Sequence, residues 1–337
     1  MNRKPGCAPV HNPKVAIIIV NWNGWRDTKE CLESLQSVAY PNFSVYVVDN
    51  GSTDESYERL IDCQPPTTNH QLIRSETNRG FAGGNNIGIK KALADGAEYI
   101  LLLNNDTLTQ QPTTTDFLTE LVKAAGSDSR IGIIGPKIYF AQETRGENFE
   151  SRISNLDSER KIWFGAGKLN WLRTRGYHLN YEVIDENTSP DSKFQILNSD
   201  YITGCCLLIK KSVIECIGLL SEDYFLYYED VDWCLRAKKA RYRIAYLPSA
   251  HIWHKVSRSA KAGSASYVYY HVRNGLMLAW RHGDTLRRAV LTLFTLWTIA
   301  KQCIKLLIPA KRMWAIAALK GVRDFIFGVT GKKSSHA

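Results

Sequence analysis

Tyr224-Phe-Leu-Tyr-Tyr-Glu229-Asp230-Val-Asp232-Trp233 sets three carboxylates within four residues, directly after an aromatic run. Asp232 and Arg236 stand at i and i+4, and an ion pair along a helix accounts for that carboxylate. Glu229 and Asp230 fall at an expected helix start, where acidic side chains are favoured in any case. In an aromatic setting, however, a carboxyl group holds its proton more tightly and can serve as a general base. Leu101-Leu-Leu-Asn104-Asn105-Asp106 puts one carboxylate and two amides at the end of an apolar run. Oxygen ligands of this kind suit Mg2+ or Mn2+, with diphosphate oxygens filling the remaining positions. The plain alternative is an Asn/Asp turn. Asp49, ending a second apolar run, is placed to accept hydrogen bonds from a base imide or a ribose hydroxyl. Ser52 and Asp54 after it read as a turn and a helix cap. Asn78-Arg79-Gly80-Phe-Ala-Gly83-Gly84-Asn85-Asn86 precedes a helix, so its backbone amides can face an anion and Arg79 can neutralise phosphate. It is neither GxGxxG nor a P-loop, and a flexible connection is the competing reading. His251-Ile-Trp-His254 offers either a metal ligand or a surface histidine at His254.

The elements that must position these groups alternate. Val15–Val20, Val45–Val48, Gln71–Arg74, Tyr99–Leu103 and Ile131–Ile134 read as strands. The first is a continuous β-branched run, as expected of a strand buried on both faces. Helices are expected from an Asp27–Glu30 capping box to Val38, from a Ser52–Glu55 box to Asp62, after Gly84 to Asp95, and over Phe117–Ala125. Strands separated by such helices imply a parallel sheet that binds ligands at its carboxyl edge. From about Phe140 to Asn198 the rhythm is lost, and long loops or a hairpin at Ile162–Trp171 are expected. Apolar order returns at Tyr201–Ile209, then a helix over Asp230–Ala240 and a strand over Arg243–Leu247. Three further helices are expected near 266–282, 285–307 and 311–328.

The 337 residues carry a net charge of +10. From Lys255 onward there are 15 basic and 2 acidic residues, a balance of +13, so the preceding 254 residues stand at −3. None of the eight cysteines forms a CxxC pair, which excludes zinc-ribbon and thioredoxin readings. Their apolar settings suit reduced thiols in a cytoplasmic protein. Met1–Lys14 is polar with three prolines, so no signal peptide is expected there. The longest uncharged apolar run, Ala289–Ala300, has 12 residues, too few for an obvious membrane span. The basic helices suit an amphipathic region lying on an anionic membrane; packing on the body or on a second subunit is the alternative. No nucleic-acid recognition motif appears.

Together VAIIIVNWN (15–23), VVDNGSTD (47–54), NRGFAGGNNIG (78–88), LLLNNDT (101–107), the stretch 202–248 and HIWH (251–254) resemble family 2 of the glycosyltransferases, and most of all its bacterial rhamnosyltransferase-like members. The resemblance runs from about residue 13 to 256. It implies the α/β GT-A fold, a Rossmann-like, mostly parallel sheet with flanking helices, followed here by a basic C-terminal helical extension. It implies a polar tail at 1–12 and a catalytic domain at 13–256. Within that domain the nucleotide-sugar half is about 13–136 and the acceptor half about 137–256. The basic amphipathic region follows at 257–337. Asn21 and Asp49 would bracket the nucleoside, and Asn78, Arg79, Gly80, Gly83, Asn85 and Asn86 would line the nucleotide-sugar pocket. Asn104, Asn105 and Asp106 occupy the family's DxD position, with Asp106 binding Mg2+ or Mn2+ and His254 standing as a further metal ligand. Asn104 departs from the pattern, where many members carry Asp. Asp230 would be the catalytic base of an inverting single displacement, and Glu229 would support it or meet the acceptor.

The activity implied is transfer of a sugar, best read as L-rhamnose from dTDP-rhamnose, to a glycan or polyprenyl-linked glycan at the cytoplasmic membrane face. Transfer of another hexose, N-acetylhexosamine or galactofuranose is the alternative within the fold. A non-catalytic nucleotide-sugar-binding protein is the alternative of another class. A nicotinamide dehydrogenase is excluded, because Asn21-Trp-Asn-Gly24 stands where GxGxxG would be needed.

Overall fold

The computed structural model describes residues 12–62, 70–109, 116–141, 160–186, 195–256 and 263–333. The polar tail lies outside the described residues but for Asn12, as do Cys7 and Cys63. The apolar runs become β1 (Val15–Asn21) and β2 (Phe43–Asn50), both buried almost throughout. Parallel pairing adds β3 (His70–Ser75) to β2 and β4 (Tyr99–Leu103) to β1. The register sets Asn21 beside Asp49 at the carboxyl edge.

Past β4 the sheet becomes mixed. The chain continues as β5 (Thr107–Leu108), β6 (Ile131–Phe140), β7 (Ile162–Phe164), β8 (Gly167–Asn170), β9 (Arg175–His178), β10 (Leu197–Asn198), β11 (Cys206–Lys210) and β12 (Arg243–His254). The order is β10-β12-β6-β11-β4-β1-β2-β3. β11 runs antiparallel to both β4 and β6. Its direction follows from where it enters: Asn104 N–H donates to Cys205 O at 2.9 Å, so the chain turns at the edge where β4 ends and runs back along it. The expected hairpin at Ile162–Trp171 is divided. β7 pairs with β6, and the hairpin is formed by β8 and β9. β12 extends beyond the expected Leu247 and carries His251 and His254 beside the end of β6.

Among the described residues the helices are α1 (Trp25–Ser34), α2 (Ser56–Asp62), α3 (Gly80–Ala94), α4 (Phe117–Ser127), α5 (Lys211–Ile217), α6 (Glu229–Lys239), α7 (Ala265–His282), α8 (Thr285–Leu306) and α9 (Pro309–Ile326). Neither expected capping box opens its helix. α1 begins at Trp25, and Asp27 and Glu30 instead bind Lys255 Nζ at 2.9 and 2.6 Å. α2 begins at Ser56, whose N–H donates to Asp54. α3 begins at Gly80, so its glycines sit inside a helix and not in a flexible loop. A Cβ on Gly84 would lie 2.8 Å from Val20, and one on Gly88 2.6 Å from Ile18, so the missing side chains let α3 ride close on the sheet.

The basic region forms three helices as expected. Its first, α7, is no appendage: Arg273 and Asn274 are fully buried, and His282 bonds Asp232 of α6 at 2.8 Å. α8 exposes Leu286, Leu293, Leu296, Trp297 and Ile304. By length and composition it is long and apolar enough to cross a membrane, unlike the sequence expectation. Two lysines, Lys301 and Lys305, interrupt its apolar stretch. Its 12 uncharged residues span about 18 Å at helical rise, against a hydrocarbon core of about 30 Å.

Candidate active site

The carboxyl edge gathers the expected residues around the turn Thr203-Gly204-Cys205. On one side lies the Glu229–Asp230 pair. Asp230 accepts from Gly204 N–H and from Val231 N–H, each at 2.8 Å. On the other side Asp106 Oδ1 meets His254 Nε2 at 3.0 Å, and both side chains are buried. The Cys205 thiol sits in the field of both sites: burial pushes it well up, and the charges of Asp106 and Asp230 add to that.

The three neighbouring carboxylates of α6 meet three environments. Glu229 is buried, and its Oε2 has no hydrogen-bond partner. Burial, then the charge of Asp230, push its carboxyl well above the usual range, so it is held as the neutral acid. Burial also raises Asp230, but the amides of Gly204 and Val231 stabilise its charged form and oppose the shift. In this coupled pair Asp230 is the better anion and Glu229 keeps the proton. Asp232 is set apart. Burial alone would raise it, but His282 and Arg236 hold it below the ordinary value, with Arg236 Nε at 2.8 Å as the i,i+4 spacing predicted.

The approach to this pair is strained. Phe225, Tyr227 and Tyr228 have φ of 62°, 68° and 75°, the last as the N-cap of α6. Left-handed backbone at bulky residues costs roughly 1–3 kcal/mol each and persists only where the surroundings enforce it. One enforcing contact is Gly80, itself at φ 74°, where a Cβ would lie 2.2 Å from Phe225 O.

The remaining expected residues are brought to the same edge, but several are already engaged. Asn21 donates to Asp49 at 3.0 Å and to Ser52 Oγ, and accepts from Thr28 at 2.8 Å. Asp49 is fully buried and accepts from Ser52 Oγ at 2.5 Å, so it is not the free carboxylate its position suggested. Ser52 belongs to this network and caps no helix. Asn105 continues it by donating to Thr28 Oγ1 at 3.0 Å. At the start of α3, Gly80 N–H donates to Asn78, Arg79 N–H to Asn50 and Phe81 N–H to Phe225 O. Those amides are therefore not open to an anion as expected. Asn85 bonds back to Phe81 O, and Asn86 ties α3 to Leu220 and Glu222. Gly83 has Arg79 Cβ 2.6 Å from where its own Cβ would be. Arg79, expected on phosphate, pairs with Glu222 at 2.9 Å. Both are well exposed, and a pair of that kind contributes only about 0–1 kcal/mol, so a ligand phosphate can displace it. Asn104 is half-buried beside Asp106. Thr28, Asn50, Gly204 and Glu222 were missed, because each acts across the fold on a residue distant in sequence.

Asp106 and His254 fit a divalent cation as a pair. Their ligating atoms already face one another in a buried position, and the other imidazole nitrogen, Nδ1, has no partner. No cluster of three or more His, Cys, Asp or Glu ligands occurs among the described residues. An ion held by this pair would need its remaining ligands from a diphosphate and water.

The family model for Glycosyl transferase family 2 matches residues 16–218. The low-salt glycan biosynthesis hexosyltransferase Agl10 of Haloferax volcanii is 25% identical over 94% of this chain and 92% of its own. An N-acetylglucosaminyl-diphospho-decaprenol L-rhamnosyltransferase of Mycobacterium tuberculosis is 26% identical over 80% and 86%. The dTDP-rhamnosyl transferase RfbF of Shigella flexneri is 25% identical over 95% and 98%. Among solved structures, a mannosyltransferase of Pyrobaculum calidifontis in complex with GDP-Man and Mn2+ superposes with a TM-score of 0.55 at 15% identity, over 97% of this chain and 91% of that one. The fold is GT-A with a C-terminal helical extension.

Proposed function

The chain belongs to glycosyl transferase family 2, and from that premise we propose that it moves L-rhamnose from dTDP-rhamnose to a hydroxyl of a lipid-linked glycan, with inversion at the anomeric carbon. The observation that carries the catalytic reading is the Asp230 carboxylate. It is held by two backbone amides beside a neutral Glu229, across the Gly204-Cys205 turn from Asp106 and His254. Asp230 takes the proton of the acceptor hydroxyl as that oxygen attacks the anomeric carbon. The bond from that carbon to the diphosphate breaks on the opposite face. Glu229, uncharged, adds no repulsion to the ionised base and can donate to the acceptor. Asp106 and His254 would hold Mg2+ or Mn2+, which when bound neutralises charge on the diphosphate. Arg79, released from Glu222, adds a second positive group. The network of Asn21, Asp49, Ser52 and Thr28 forms the floor under the nucleoside, and Asn78 to Asn86 set the pocket wall through α3. In this reading residues 13–136 carry the donor and 137–256 the acceptor.

The dTDP-rhamnosyl transferase relative supports the donor, and the decaprenol-linked substrate named for the mycobacterial relative supports the acceptor class. The basic surface and exposed apolar face of α8 support peripheral attachment to an anionic membrane from the cytoplasmic side. The test is a screen of nucleotide sugars for saturable binding and hydrolysis, with Mg2+, with Mn2+ and with chelator. Metal-dependent preference for dTDP-rhamnose is expected. Preference for a UDP- or GDP-sugar would replace the donor, and binding to none would remove the catalytic reading.

A further inference from the structure

We propose that Arg273 and Asn274 of α7 are positioning residues for the Glu229–Asp230 pair, holding the left-handed segment Phe225–Tyr228 in the one shape that aims α6 at the acceptor. The proposal rests on the reading of Asp230 as the base. Both side chains are fully buried. The two hydrogens of Asn274 Nδ2 are shared among the carbonyls of Tyr224, Leu226 and Tyr227, at 2.9, 2.8 and 3.0 Å. Arg273 Nη2 donates to Tyr224 O at 3.0 Å and to Asp223 O at 3.3 Å. Arg273 Nε donates to Asn274 Oδ1 at 2.9 Å, which fixes the amide with its hydrogens toward the loop. The guanidinium is braced from behind by Gly331 O at 2.8 Å, and Gly331 N–H returns to Asp223 O.

The carbonyls so held bracket the residues with positive φ, and Tyr228 O in turn accepts Asp232 N–H in the first turn of α6. A guanidinium buried among carbonyls is an expensive way to stabilise a loop, since apolar packing would do so without desolvating a charge. It is an apt way to fix the direction of several carbonyls at once, because the planar fork and the amide present donors at set angles. Nothing in the loop's own sequence enforces the left-handed turns, as no glycine stands between Tyr224 and Trp233. Beside the contact with Gly80 and Phe81 at Phe225, the restraint comes from a helix some 50 residues downstream.

The test compares Asn274→Ala with Leu118→Ala, a cavity made in α4 where it packs on β6 and β12 and makes no hydrogen bond to this loop, in the full-length protein below the melting temperature of both. Asn274→Ala is expected to lower kcat by about 100-fold, the scale on which a misplaced catalytic group costs rate, with the donor Kd within about threefold of the parent. Leu118→Ala is expected to melt earlier with kcat unchanged. Equal kcat loss in both variants, or full kcat in Asn274→Ala, overturns the proposal. If Asn274→Ala fails to fold, Asn274→Ser, which keeps one donor, is read against the same control. Asp230→Asn separates the two readings. Turnover retained there removes Asp230 as the base. Turnover lost there but full in Asn274→Ala removes the clamp alone.

Discussion

At the scale of single residues, Glu229, Asp230 and Asp232 illustrate how environment assigns work to one side-chain type. Asp232 is held ionised by His282 and Arg236 and is thereby occupied. Glu229 is buried with its Oε2 unpartnered, and Asp230 is given two amides. Asp230→Asn keeps the shape and one of the two amide contacts, since its NH2 cannot accept from the second N–H, and it cannot take a proton. It is expected to lower kcat by about 10²–10⁴-fold, the usual contribution of a general base, with donor affinity unchanged by calorimetry. Glu229 also makes a stability prediction. Its folded carboxyl titrates well above the ordinary 4.5. The native state therefore binds more protons than the unfolded chain between that value and the raised one, and stability falls as pH rises through this window. Glu229→Gln removes the ionisation. Its melting temperature at pH 7 relative to pH 4.5 should fall less than the parent's. An identical pH dependence in both proteins would contradict a neutral Glu229.

Among elements, α3 and α7 matter most, and they were unequally legible. The glycine pattern 80-83-84-88 marked α3 as special, but composition suggested a loop. What it encodes is a helix close on β1 and β2, since Gly84 and Gly88 face Val20, Ile18 and Val48. Gly88→Val should overpack this contact and lower stability by about 1–3 kcal/mol in denaturant unfolding; an unchanged midpoint would mean that α3 can lift away freely. Strand positions, the start of α6 and the three C-terminal helices were readable from apolar runs and charge. The start of α1 was not. The Asp27–Glu30 carboxylates that looked like a cap are taken by Lys255, more than 220 residues away. That pairing has no local signature.

The whole molecule divides its charge between a near-neutral body and a strongly basic end. Of the two acidic residues after Lys255, Asp284 caps α8 and Asp324 is buried against Tyr269 and Arg323. The exposed face of α8 is thus apolar and flanked by Arg287, Arg288, Lys301 and Lys305, of which Arg287 pairs with the N-cap Asp284 at 3.7 Å. A second copy would bring like charges together, whereas an anionic bilayer is complementary. In flotation assays the protein should rise with vesicles containing phosphatidylglycerol, and fall back in high salt. Leu293→Glu with Trp297→Glu should weaken binding at least tenfold while leaving transfer to a soluble acceptor intact. Undiminished flotation of that variant would place the contact elsewhere. Chelation should arrest transfer and Mg2+ or Mn2+ restore it; full activity in a chelated assay would remove the metal role of Asp106 and His254.

The sequence by itself determined the strands, the residues at their carboxyl ends and the split between body and basic end, because apolar periodicity and charge are local properties of the chain. It also carried the likeness that led to the family. Only the tertiary structure decided what each polar group is bonded to. Asp49, Asn86 and the first amides of α3 are satisfied within the protein, whereas Asp230, Glu229, Asp106 and His254 converge on the Gly204-Cys205 turn. It alone shows that the basic end begins with a helix locked onto the loop that leads into α6. The physical reason is the same in each case: a polar group's role depends on whether its hydrogen-bonding capacity is met, and the partners that meet it here arrive from distant parts of the chain.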